Sequence, residues 1–293
     1  MDYGLCLPNF RDGASREGME AGAETAQRLG WSTVWTTDHV LVPSSAADDY
    51  GTNYDAIEVL AWIGARFPEL KLGTSVIVVP QRNAVVLAKE LASIDALSGG
   101  RLIAGVGAGW NEEEFANLGM ADRFHVRGAY LDETIDLWRH LWSGSREPFD
   151  GRFHQSDDYV FAPLPAQGAS LPIAVGGRAE AALRRAGTRG DWYHSSATSA
   201  AKYAERVPVI RAAAEAVGRT MPRLTARAWT EFGEATTNHY AIRGTVDEMV
   251  AEIRAFAGLG VDHLAVWFDA TAPDELVSLM DRFAREVAPQ VET

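Results

Sequence analysis

Strand-like and helix-like segments alternate eight times along this chain, and that alternation restricts its fold more than any single motif. Apolar or β-branched runs at 3–8, 32–37, 71–79, 102–106, 173–177, 191–195, 224–232 and 261–268 read as strands. Helical patterns follow them at 15–29, 56–67, 84–97, 112–142 (in pieces), 179–186, 200–217, 245–257 and 273–287. Gly30 stands as the stop of the first helix, and Thr271 or Asp274 as the cap of the last. Strands that alternate with helices form a parallel sheet. Eight units within 293 residues predict an α/β fold, a (β/α)8 TIM barrel, rather than an open doubly wound sheet. The pattern breaks between strands four and five. There 149–154 and 159–161 predict a short hairpin insertion, with Asp150-Gly151 as its turn. No shift of composition divides the chain, so residues 1–293 are expected to form one domain. The polar segment 40–55 is long for a connection inside a compact domain, which points to function or mobility.

Charge and cysteine usage narrow the class. Forty acidic residues against 27 basic ones give a net charge of −13, which argues against nucleic acid and anionic membrane as partners. No apolar run has the length of a membrane span, and the N-terminus reads as a strand rather than a signal peptide. The one cysteine, Cys6, lies in an apolar run and cannot form an internal disulfide; a buried, inert thiol and a cytoplasmic location fit it.

In a barrel of this kind the chemistry sits at the C-terminal ends of the strands. In chain order those ends carry Pro8-Asn9-Phe10, Asp38-His39, Thr74-Ser75-Val76, Gly107 to Asn111, Gly176-Gly177-Arg178, His194-Ser195-Ser196, Trp229 to Glu231, and Trp267-Phe268-Asp269. The three lysines, Lys71, Lys89 and Lys202, all lie elsewhere, so a Schiff-base mechanism is not expected. His39 and His194 lack metal-ligand spacing to any partner, and no metal is expected. His125, His140, His154, His239 and His263 read as structural or solvated. What remains is glycine, hydroxyl, amide and aromatic, a lining suited to a flat cofactor that carries a phosphate.

Several of these stretches admit two readings. The glycines at 105, 107 and 109 suit either a tight strand-to-helix turn or the wall of a pocket, and Trp110 breaks a dinucleotide G-x-G-x-x-G spacing. Glu112, Glu113 and Glu114 fit the first turn of a helix, where the macrodipole favours negative charge. Gly176-Gly177 before a helix is a plain turn or an anion site to which Arg178 adds a guanidinium. Asp38-His39 is a helix cap with a surface histidine, or a general acid/base whose imidazole Asp38 orients.

Together these positions resemble the bacterial luciferase-like flavin monooxygenase superfamily, and more narrowly its coenzyme F420-dependent oxidoreductases. The resemblance spans essentially the whole chain. It rests on Trp35-Thr36-Thr37-Asp38-His39-Val40, Leu72-Gly73-Thr74-Ser75-Val76 and the run from Gly105 to Phe115. Further along it rests on Val175-Gly176-Gly177, on Gly244 to Glu248 and on Gly260 to His263. The resemblance implies a deazaflavin, or alternatively FMN, lying across the barrel mouth against Gly107 and Asn111. Asp38 and His39 would stand near its reactive ring, with His39 as the catalytic residue. It implies a cis peptide at Ser75-Val76 behind the ring, and a phosphate held by Gly176, Gly177 and Arg178, with Ser195 and Ser196 as further contacts.

The implied activity is hydride transfer between F420 and a small organic molecule, with a two-component FMN monooxygenase fed by a partner flavin reductase as the alternative. A non-catalytic flavin-binding barrel and a non-redox phosphate-binding barrel enzyme stand further off. Members of the superfamily that act on sugar phosphates carry glutamate where this chain has Trp110, a hydroxyl where it has Val78, and lysines for the substrate phosphate. An uncharged, apolar or aromatic substrate meeting Phe10, Trp110, Trp229 and Trp267 is expected instead. A homodimer is compatible with the apolar helix faces.

Overall fold

The computed structural model describes residues 1–234 and 240–291, so His239 lies outside the described residues. Among them, eight parallel strands close on one another. They are β1 (Asp2–Cys6), β2 (Thr33–Thr36), β3 (Lys71–Thr74), β4 (Leu102–Gly107), β5 (Ile173–Gly176), β6 (Trp192–Ser196), β7 (Arg223–Phe232) and β8 (Val261–Trp267). Closure is complete because β8 pairs with β1, Tyr3 beside Leu264, and also with β7, Ala226 beside Leu264. β6 joins β7 through Thr225 beside His194. The (β/α)8 barrel read from the alternation is therefore the fold.

Period-two alternation sorts the strand side chains into two apolar layers. Leu5, Val34, Leu72, Val106, Val175, Tyr193, Ala226 and Val266 face the surrounding helices. Cys6, Trp35, Ile103, Ala174, Trp229, Ala265 and Trp267 fill the barrel itself. Trp35 is fully buried at its centre, its indole N–H bonded to His263 Nε2 at 3.1 Å and its ring stacked on His194 at 4.4 Å. Cys6 is buried in the same layer, and burial pushes its thiol up to about 11, against the opposing pull of Arg227. No helix among the described residues is long and apolar enough to cross a membrane.

Four local expectations need correction. The third strand does not run unbroken through 79. It stops at Thr74, a cis peptide joins Ser75 to Val76, and pairing with β4 resumes only at Ile77–Val78. The hairpin insertion exists, but its second arm is Gln155–Ser156 rather than 159–161. The chain turns early because the Glu133 carboxylate accepts the backbone N–H groups of Arg152, Phe153 and His154. Tyr159 instead bonds the Glu147 carbonyl and His140. The helix after β8, Pro273–Glu286, has no side-chain cap from Thr271 or Asp274; Glu275 reaches back and accepts both the backbone N–H and the hydroxyl of Thr271. The helix after β5 runs Glu180–Arg189, one residue later at its start than expected and three longer at its end.

Candidate active site

Asp38 and His39 leave the end of β2 side by side, but their side chains do different work. Asp38 is buried and takes a backbone N–H from Val78 at 3.0 Å and the Arg82 guanidinium at 2.7 Å. Arg82 also holds Asp55 at 2.7 Å, so one guanidinium latches the ends of β2 and β3 to the start of the helix Ala56–Arg66. Asp38 therefore does not orient the imidazole. Glu114 does: its Oε2 lies 3.0 Å from His39 Nδ1, while Oε1 accepts the Val40 N–H at 2.8 Å. Burial alone would raise the Glu114 carboxyl. The His39 and Val40 hydrogen bonds outweigh it and hold the group below the usual glutamate range. An ionised acceptor on Nδ1 fixes the ring, and His39 Nε2 has no partner among the described residues.

In the sequence Glu114 is one of three carboxylates that suit a helix's first turn. The signal that could have found it is angular. Asn111 caps the helix Glu112–Asn117 by accepting the Glu114 N–H, and at 100° per residue only one of three consecutive glutamates can face inward beside buried Phe115. The same bond engages the Asn111 side-chain oxygen in a helix cap and leaves its amide N–H groups for a ligand.

The glycines at the mouth have a steric cause within the chain itself. A Cβ on Gly107 would lie 2.6 Å from one Val76 methyl, and a Cβ on Gly176 would lie 2.9 Å from the other. A Cβ on Gly105 would collide with the Thr74 carbonyl oxygen. What comes close to these glycines is the chain's own Ser75-Val76 step, wedged among β3, β4 and β5. Ser75 is tied down as well, its hydroxyl 2.9 Å from His194 Nε2 and its carbonyl accepting from Arg227 at 2.8 Å. His194 meets Thr225 through Nδ1, and burial pushes it well below the usual histidine range. It is a neutral interior residue rather than a group at the mouth.

On the phosphate side the expected residues separate. Gly177 has φ +119°, and Arg178 is exposed with no hydrogen bond or ion pair among the described residues. The helix Glu180–Arg189 has no side-chain cap, so its first N–H groups are available to an anion. Register places His194 of β6 beside Gly176, so the turns after the two strands are neighbours. Ser196 is half-buried there, and Thr198 carries a buried hydroxyl with no partner. Ser195 is different: it is fully buried and its hydroxyl takes the Arg206 guanidinium at 2.7 Å. Gly177, Arg178, the bare helix start and Thr198 fit a phosphate; Ser195 is committed to Arg206.

The four aromatics assigned to substrate form two groups joined by a residue not singled out in sequence. Phe10, Trp267 and Trp229 pack one against the next with tilted rings, their centroids 5.5 Å and 4.1 Å apart. Trp110 is 62% exposed at the rim, 6.2 Å from His39. Tyr50, from the short helix Ala47–Tyr50 in the long 40–55 segment, lies 4.0 Å from His39, 6.3 Å from Trp110 and 6.0 Å from Phe10. The segment thus folds over the mouth and supplies its central ring.

A closed barrel with a buried His–Glu pair at one strand end, an anion-ready turn at another and aromatic walls between is the frame of a cofactor-binding barrel. The family model for luciferase-like monooxygenases matches residues 1–257, and the chain belongs to that family. The F420-dependent glucose-6-phosphate dehydrogenase of Kineococcus radiotolerans is 32% identical over 201 residues, which cover 68% of this chain and 58% of that protein. An F420-dependent secondary alcohol dehydrogenase, solved with an F420–acetone adduct, superposes with a TM-score of 0.83 at 18% identity over 99% of this chain and 98% of that one. The oxygenating constituent of the 3,6-diketocamphane monooxygenase of Pseudomonas putida, solved with FMN, gives 0.80 at 16% identity over 99% of both chains.

Proposed function

We propose that this chain is an F420-dependent oxidoreductase acting on an organic substrate with an apolar or aromatic body, not on a sugar phosphate. The reading rests above all on the His39–Glu114 pair, a buried proton-transfer group at a strand end beside Tyr50 and Trp110. It is supported by relatives named as F420-dependent dehydrogenases. Gly177, Arg178, the N-terminus of Glu180–Arg189 and Thr198 would hold the cofactor phosphate, and the wedge at Ser75-Val76 would support the ring. When bound, F420 supplies a hydride donor or acceptor at C5 of the deazaflavin.

The chain's own residues have three tasks. His39, with Nδ1 engaged by Glu114, gives or takes the substrate proton at Nε2. Phe10, Trp229 and Trp267 orient the substrate body and exclude water. Tyr50 and the segment that carries it close the mouth. A cytoplasmic location belongs to this reading, since the single cysteine is a buried free thiol, and the reading allows a homodimer.

Absorbance titration of the purified protein with F420 and with FMN tests the assignment. Saturable F420 binding with none for FMN is expected. Tight FMN binding without F420 binding would instead make the chain a monooxygenase dependent on a flavin reductase.

A further inference from the structure

The inward face of β7 carries a cation that the hydride-transfer reading does not use. Arg227 is 6% exposed, yet no carboxylate stands within ion-pair distance of it among the described residues. It reaches across the barrel to donate to the Ser75 carbonyl, and its guanidinium lies 5.4 Å from the Phe10 ring centroid. Its Nε is buried with no hydrogen-bond partner. A buried guanidinium so placed is costly unless something anionic meets it.

Two more orphaned donors converge on the same aromatic group. Arg11 lies 4.9 Å over Trp229 and 5.7 Å over Trp267, and its Nη1 is buried without a partner. The Trp267 indole N–H is buried and unpartnered as well, and that ring packs on Phe10. The neighbouring carboxylates are largely engaged. Asp49 lies 3.4 Å from the other Arg11 nitrogen, and Glu231 pairs with Arg243 at 3.5 Å. Burial raises the Asp269 carboxyl, against the pull of Arg11.

We propose that Arg11, Arg227 and the Trp267 N–H form a head-group site for a carboxylate carried on the aromatic or apolar body of the substrate. The proposal rests on the F420 reading for calling that molecule a substrate. A carboxylate is planar, offers two oxygens with about four lone-pair positions, and suits three converging N–H donors. A phosphate dianion loses far more hydration between Phe10, Trp229 and Trp267, and no lysine stands at this mouth to compensate. The wholly uncharged substrate expected from the missing lysines would leave Arg227 unpaired.

Benzoate, benzyl alcohol and inorganic phosphate are suitable probes, followed by tryptophan fluorescence because two indoles wall the site. Benzoate is expected to bind saturably, benzyl alcohol and phosphate at least about tenfold more weakly, and Arg11→Gln to weaken benzoate by about ten- to a hundredfold. Arg227→Lys should weaken it as well; because Arg227 also braces Ser75, Arg11→Gln carries the test if that variant does not fold. Equal binding of benzyl alcohol, or benzoate binding that ignores Arg11→Gln, overturns the site. Phosphate binding as tightly as benzoate overturns the carboxylate class. F420 titrated into the same variant separates the two sources of negative charge: an F420 affinity that falls as far as the benzoate affinity assigns the donors to the cofactor and overturns the substrate site. Failure of the wild-type protein to bind F420, with Arg11-dependent benzoate binding intact, overturns the proposed reaction and leaves the carboxylate site standing.

Discussion

His39 and Glu114 are 75 residues apart in sequence and 3.0 Å apart in space. That contact divides the residues that could be read from the chain from those that could not. His39 was legible because it directly follows a strand, where barrel chemistry collects. Glu114 was not, because three adjacent carboxylates read alike until the helix axis fixes which one turns inward. Arg227 escaped for a related reason, since an arginine within a strand reads as the solvated face unless the strand's alternation is anchored by a neighbour such as Trp229. His39→Ala is expected to lower turnover by roughly a hundredfold to ten-thousandfold, the usual range for losing a general acid or base. The thermal midpoint should fall as well, because the buried Glu114 carboxylate keeps the Val40 N–H but loses the imidazole, so turnover is compared at a temperature where both proteins are folded. Glu114→Gln should keep the fold while lowering turnover, and it should also remove a pH dependence. In the native chain the Glu114 carboxyl is held below the ordinary glutamate value, so its charge is present at neutral pH and is lost only as acid takes the solution through that lowered value. A rate profile whose acid limb is unaltered by Glu114→Gln would remove Glu114 from its positioning role.

At the level of elements, the turn from β4 shows what spacing can and cannot reveal. Alternate glycines announced a close approach, and a close approach exists. The approaching group is Val76, because the neighbouring strand is broken at Ser75-Val76 and presses its side chain into β4 and β5. A sequence carries the missing Cβ but not the identity of the group that uses the space. Gly107→Ala should therefore destabilise the barrel by about 1–3 kcal/mol through overpacking. Because the clash is with a stiff β-branched side chain, Val76→Ala in the same background should restore part of the loss. Urea unfolding of the two single variants and the double closes the cycle. Strict additivity would mean that the glycine is required for some reason other than Val76. The hairpin taught a similar lesson, since its turn was visible in Asp150-Gly151 while its second arm was displaced by Glu133, a side chain from a helix some twenty residues earlier.

For the whole molecule, eight alternations were enough to give closure, because each strand contributes one apolar face to the helices and one to the interior, and both faces are filled. The alternation does not show how the mouth is held together. That depends on the Arg82 latch, in which a guanidinium from the third strand–helix unit holds Asp38 and Asp55, the two ends of the loop in the second. Arg82→Met leaves the Asp38 carboxylate buried with only the Val78 N–H as partner, and should cost roughly 3 kcal/mol at neutral pH. The acid response carries a second signature. Burial would raise Asp55, but its hydrogen bonds, chiefly those to Glu58 and Arg82, push it down to about 2. Asp2 is lowered as well, by His263 and Ser32 against its own burial. A carboxyl lowered on folding contributes stability above its unfolded value and loses it as pH falls through the folded one. Stability should therefore decline from about pH 4 toward pH 2. The raised carboxyls Glu58, Glu90 and Asp269 act in the opposite sense, so the net decline is shallower than Asp2, Asp55 and Glu114 alone would give. Removing Arg82 takes away one of the groups that hold Asp55 low, so the variant's thermal midpoint should start lower at pH 7 and fall less between pH 4 and pH 2. Parallel curves for the two proteins across that window would show that the latch contributes nothing to the acid response, and that Asp55 is held low by Glu58 and the Ile57 N–H alone.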